Sequence, residues 1–144
     1  MSDLSAFLNL DHTKSIAGIE KKVVISKRIK DENGKPIKWI IKASTEEKRQ
    51  ALDKKYTTTK LVGGTVAEIL NQRDYQAEMI VESVVYPDLR NAELCRKYGV
   101  NDPLLLAKTM LLPGEYLRLA HEVMEINGYY ENYDAEDYEV AKNS

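Results

Sequence analysis

Across residues 71–127 the apolar positions recur at helical spacing, and sharp breaks divide them into separate stretches. Ala77, Ile80, Val81, Val84 and Val85 follow the i, i+3, i+4, i+7, i+8 spacing of one buried helix face, with Asp74, Glu78 and Glu82 on the other side. Asn71 is the expected cap and Asp74 its box partner. Pro87 should end this helix, because the residue before a proline avoids the α region. Asn91 can cap a short helix with the sequence AELCRKY, and Gly99 supplies a left-handed C-terminal residue. Asp102-Pro103 is a cap followed by proline at the first helical position. The run LLLAKTMLL is apolar almost all round and predicts the most buried helix. Beyond the break at Pro113-Gly114, Tyr116, Leu119, Ala120, Val123 and Met124 make one stripe, Arg118 and Glu122 form an i, i+4 pair opposite it, and Asn127-Gly128 ends it.

Upstream the period changes to two. Val23, Ile25 and Ile29, then Ile37, Trp39 and Ile41, predict paired strands over 23–29 and 37–43. Asn33-Gly34 between them predicts a type I′ turn, since both residues tolerate positive φ, and Pro36 suits an edge or a turn flank. Lys38 and Lys42 should share the face opposite Trp39. A lone hairpin is marginal in water, so this one must pack on the helices, gain a strand or pair with another subunit. Ser44 to Glu47 has the pattern of a capping box and opens a helix over 45–56, whose thin stripe of Ala51, Leu52 and Tyr56 predicts a surface position. Residues 57–70 are expected to be extended: threonines favour strands and Gly63-Gly64 breaks any helix. Phe7, Leu8 and Leu10 form a short apolar anchor, with 15–18 irregular. The expected fold is α+β, an N-terminal antiparallel β-hairpin open to a third strand and then a compact bundle of four to five short helices. The expected layout is an arm over 1–20, one domain over 21–128 (hairpin 22–43, helical part 45–128) and an acidic, Tyr-rich tail over 129–144.

Charge adds an asymmetry. The chain has 144 residues and a formal net charge of −2, but Lys21, Lys22, Lys27, Arg28, Lys30, Lys35, Lys38 and Lys42 crowd the hairpin. Glu131, Asp134, Glu136, Asp137 and Glu139 at the other end face only Lys142. Such a split can serve a partner or let one end of the chain act on the other; the plainer alternative is a solvated face and a soluble tail. No apolar run approaches the ~20 residues of a membrane span. The N-terminus has neither a basic n-region nor a long apolar stretch, so no secretory signal is expected and a cytoplasmic setting follows.

Chemistry is thin. Cys95 is the single cysteine; it can form no internal disulfide and reads as a structural thiol. With only His12 and His121 a zinc site lacks ligands. Gly63-Gly64 lacks the rest of a phosphate loop, and His121-Glu122 lacks the second histidine of a zincin helix. His121 falls beside the apolar stripe and reads as a satisfied helix histidine. The carboxylates Asp74, Glu78 and Glu82 read as a solvated helix face. No catalytic, cofactor-binding or metal-binding residue is expected, and the chain reads as a non-enzyme. The lysine-rich hairpin with Trp39 could in principle take nucleic acid, but the overall acidic balance argues against it.

Several motifs occur in a fixed order: SVVYPDL (83–89), NAEL (91–94), YGV (98–100), MLLPGEY (110–116) and EINGY (125–129), preceded by the hairpin segment KKVVISKRIKDENGKPIKWIIKA (21–43). Together they resemble the XkdN-like tail assembly chaperones of bacteriophages and prophages of Gram-positive bacteria, over roughly residues 20–129. The resemblance implies a protein that binds the phage tape measure protein and keeps it soluble for tail tube assembly, without catalysis. It implies residence in the bacterial host cytoplasm and absence from the mature virion. The tail tube protein is a second implied partner, and self-association stays open. Helix-in-groove recognition needs apolar side chains beyond those of the core. Leu105, Met110, Leu112 and Met124, with Tyr129, Tyr130 and Tyr133 of the tail, are the candidate contacts; the alternative is that the apolar helix is all core. Two other readings remain: a structural tail or prophage protein, and a small nucleic-acid-binding regulator using the basic hairpin.

Overall fold

The computed structural model describes residues 3–10 and 16–132. Its elements run α1 (Leu4–Leu8), β1 (Glu20–Val24), β2 (Lys38–Lys42), α2 (Glu46–Tyr56), β3 (Thr57–Val62), β4 (Thr65–Leu70), α3 (Gln72–Ser83), β5 (Val84–Tyr86), α4 (Ala92–Lys97), α5 (Pro103–Met110) and α6 (Pro113–Ile126). Strands and short helices combine in the expected α+β class.

The hairpin does gain a third strand, from residues that the helical periodicity had claimed. β1, β2 and β5 form an antiparallel sheet in that order. The helix over 72–83 stops before Val84, and Val84-Val85-Tyr86 pairs with Ile40 and Ile41 on the free edge of β2. A β-branched and aromatic triplet before a proline suits a strand, and the β2 edge offers backbone partners that another helical turn would leave unmet. Val84 is buried in either arrangement, but Val85 turns outward.

β1 also differs from expectation. It covers Glu20–Val24 and not the predicted 23–29, and Ile25 and Ser26 leave the ladder fully buried. The Ser26 hydroxyl accepts the Arg28 amide at 3.1 Å, a local turn that ends the strand. At the hairpin tip Asn33 has no positive φ; Gly34 alone does, at 77°. The Gly34 amide donates to the Asp31 carbonyl, and the Asp31 carboxylate accepts the amides of Asn33 and Lys35. Side-chain capping by Asp31 therefore replaces the type I′ turn. The two-residue turn occurs instead at Gly63 (φ 59°) and Gly64 (φ 81°), which join β3 to β4 in full register.

Capping residues place the helices largely as read. Asn71, Asn91 and Asp102 each accept an amide two or three residues ahead. Thr45 caps α2 by accepting from Lys48, so the box expected from Ser44 and Glu47 does not form. α2 buries no residue, as its thin stripe predicted. Phe7, Leu8 and Leu10 are exposed rather than anchored.

The core brings the inner face of the sheet (Trp39, Ile41, with Ile25 beyond β1) against Ile80, Val81, Leu106, Leu119 and Val123. α5 is not the most buried helix: only Leu106 and Ala107 are buried there, against five residues of α3. α5 packs on α3 and α6 along one side, which leaves Leu105 exposed. Cys95 is buried, its thiol 3.7 Å from the Leu89 carbonyl.

Among the described residues Ser83 carries the one buried side-chain oxygen with no hydrogen-bond partner. A buried hydroxyl without a partner is destabilising by about 1–3 kcal/mol. Ser83→Ala should therefore hold or raise stability, by up to about 1 kcal/mol in urea unfolding; a clear loss would show that the hydroxyl is bonded.

Candidate partner-binding surface

α6 presents two different sides. Leu119, Ala120 and Val123 face the core. Gly114, Leu117 and His121, spaced for the opposite side, are exposed, with Leu112 and Pro113 leading into them. Leu117 is 71% exposed and Leu112 54%. Past the end of the helix Tyr130 folds back, its ring stacked on His121 at a centroid distance of 4.6 Å and an interplanar angle of 16°. His121 also lies 3.4 Å from Glu125. Leu117, His121 and Tyr130 thus line an apolar and aromatic stripe along the outside of the longest helix described, and the exposed Leu112 stands just before its start.

Polar contacts along its flanks hold α6 in place. Arg28 pairs with Glu115 at 2.6 Å and also donates to the Met110 carbonyl. Lys21 pairs with Glu122 at 2.7 Å. Arg118 donates to the Ile25 carbonyl, and Asn127 accepts the Ser44 amide at 2.7 Å. The expected Arg118–Glu122 pair does not form, because each side chain finds a partner on β1 or just beyond it. Part of the basic charge of the hairpin is therefore answered within the fold.

The candidate contacts separate in space. Tyr130 lies on the α6 stripe against His121, Leu112 is exposed just before the helix, and Leu105 is exposed on α5. Met110 and Met124 are half-buried against the core. Tyr129 is exposed beside Arg49 and Met79, in a cleft shared with α2. Tyr133 lies outside the described residues. Sequence reasoning missed Leu117 and His121 as part of one surface. A leucine on the polar side of the α6 stripe was the available signal.

The β3–β4 hairpin forms a second apolar feature. Leu61 and Val66 face each other across the strands, and Val62 and Ile69 are also exposed. The arm grows directly out of α2 and α3 and is fixed at its root. Thr57 donates to the Asp53 carbonyl, and Glu78 accepts from both Lys55 and Tyr56. Burial pushes the Glu78 carboxyl up, but those two hydrogen bonds together with the charges of Lys55 and Arg90 outweigh it and hold the group below its ordinary range. Glu78 is thus a structural tie and not part of a solvated row. No helix among the described residues is long and apolar enough to cross a membrane, and these residues hold no cluster of three or more potential metal-ligating side chains.

The family model described as phage XkdN-like tail assembly chaperone protein matches residues 4–142. The chain belongs to the XkdN-like phage tail assembly chaperone family. It is 41% identical over 145 residues to the phage-like element PBSX protein XkdN of Bacillus subtilis (strain 168), covering 98% of this chain and 94% of that protein. It is 40% identical over 142 residues to YqbN, an uncharacterized protein of the same organism, covering 96% and 91%. A crystal structure of YqbN superposes with a TM-score of 0.66 at 34% identity, over 76% of this chain and 84% of that one. Membership of a tail assembly chaperone family implies a non-catalytic role and partners among phage tail proteins.

In this family member the start of α6 depends on Glu115. Its carboxylate takes the Arg28 guanidinium and accepts the Leu112 amide at 2.8 Å, closing the first turn. Arg28 first, then Ser26 and the Leu112 amide, hold the carboxyl at about 2, against an ordinary value of 4.5. A depressed folded value means stability that is fully present above the ordinary value and is lost as pH falls through about 2. Glu115→Gln should lower the melting temperature at pH 7 and lose that deficit between about pH 4.5 and 2. Parallel melting curves for the two proteins across that range, followed by circular dichroism, would show that Glu115 supplies no such coupling.

Proposed function

We propose that this chaperone binds the tape measure protein of its phage and keeps it soluble until the tail tube assembles, acting in the host cytoplasm and leaving before the virion is complete. The observation that carries the reading is the outer stripe of α6, set within a chain of this family. Leu117 and His121 stand exposed on a helix whose opposite side is fixed in the core, with the exposed Leu112 just before it and Tyr130 folded back onto His121. A rigid helix with an apolar outer face can pack against an amphipathic helix of a partner, supplying anchors at helical spacing. Preorganisation matters because side chains already ordered lose little freedom on binding. Leu105, exposed on the neighbouring α5, extends the apolar surface available to the same protein. Met110 and Met124, half-buried and conformationally adaptable, are suited to adjusting beneath it.

Co-expression with a helical fragment of the tape measure protein tests this. The expected outcome is a complex on size exclusion and a fragment that stays in the soluble fraction. Leu117→Lys, alone or with Leu112→Lys, should weaken the complex about tenfold or more, as loss of an apolar anchor does, while the melting temperature stays within a few degrees. No complex and no gain in fragment solubility would end the proposal.

A further inference from the structure

The three-stranded sheet has a second face, which the core does not use. The register places Lys22, Val24, Lys38, Ile40, Lys42 and Tyr86 on it, together with Glu20. Their neighbours in sequence turn the other way, Trp39 and Ile41 into the core and Lys21 toward α6. The two faces differ in how their charge is met. Lys21 finds Glu122 and Glu125, and Arg28 finds Glu115. Among the described residues Lys22, Lys38 and Lys42 have no carboxylate within ion-pairing distance. Lys27, Lys30 and Lys35, near the hairpin tip, share this lack and extend the basic region.

We propose that this open lysine face is the docking surface for the chain's own acidic segment, residues 133–144. Charge, position and chemistry support this occupant. The segment carries Asp134, Glu136, Asp137 and Glu139 against a single Lys142, the sign the face lacks. Past the end of α6 Tyr130 stacks on His121, which contacts Glu125, and Glu125 lies 3.5 Å from Lys21, so the last described turn stands on the side of α6 next to β1 and Lys22. Twelve residues can span about 40 Å, enough to round the β1 edge and reach Lys22 and Lys38. Tyr133 and Tyr138 can lay their rings on Val24, Ile40 and the lysine stems while keeping their hydroxyls in water. Glu20, opposite Lys42, and Glu47 and Glu82, beside it in an open hollow, make that end the less basic one. Lys22 and Lys38 are therefore the principal contacts. This inference is independent of the stripe on α6, and a failed tape measure assay would leave it standing.

Lysine acylation followed by mass spectrometry tests the contact in the full-length chain at low salt. The native protein is compared with a full-length variant carrying Asp134→Asn, Glu136→Gln, Asp137→Asn and Glu139→Gln. Tethering places the segment at millimolar effective concentration, so a contact of that affinity should make Lys22 and Lys38 react about twofold or more slowly in the native chain. Lys54, Lys60 and Lys97, elsewhere on the surface, should react alike in both. The difference should vanish at 1 M salt, where the Debye length shrinks to about 3 Å. Equal rates at Lys22 and Lys38 would overturn the proposal. Protection that disappears on dilution would also overturn it, by assigning the contact to a second copy of the chain.

Discussion

Burial of one face of β2 is the constraint around which the other elements are arranged. Trp39 and Ile41 project to the same side of the central strand and are almost fully removed from water, among side chains of α3, α5 and α6. A large aromatic and a branched aliphatic supply several kcal/mol of apolar burial, roughly 1.5–3 kcal/mol for each such side chain. That face must be covered, so α6 lies across it. β5 completes the edge of the strand that β1 does not reach.

The same arrangement explains how charge is distributed. A strand alternates its side chains, so a lysine-rich hairpin must send some lysines toward the helices and others away. Lys21 goes toward α6 and meets carboxylates there, and Arg28 reaches Glu115 because the chain turns at Ser26. Lys22, Lys38 and Lys42 go the other way and remain a basic surface. These lysines are consecutive or near neighbours in the sequence, yet they divide between fastening a helix and presenting charge.

Fixing α6 by its inner face and flanks leaves its outer face as a rigid display. The pattern of Leu119, Ala120 and Val123 already identified the inside of this helix, and with it the outside. What the pattern did not convey is that Leu117, His121 and Tyr130 combine there. Tyr130 belongs to the segment after the helix and reaches His121 only because the chain reverses at Gly128 (φ 86°). Leu105, Leu112 and Tyr129, alike in sequence as apolar groups near breaks, end on different parts of the molecule for a similar reason.

The sequence by itself determined where α3, α4 and α5 start, since N-terminal capping is local. Asn71, Asn91, Asp102 and Pro103 act on amides within a few residues, whatever the rest of the chain does. It also determined the class of fold and the family, whose motifs lie at those same breaks. Tertiary structure decided what depends on distant partners. Val84-Val85-Tyr86 fits helix and strand alike, and the unpaired edge of β2 selected strand. Asn33-Gly34 and Gly63-Gly64 both suit a tight turn, but the Asp31 carboxylate overrode the first while nothing competed at the second. The apolar run in α5 specified burial without saying on how many sides neighbours would stand. Local periodicity sets which side chains share a face, and only the packed molecule sets what that face meets.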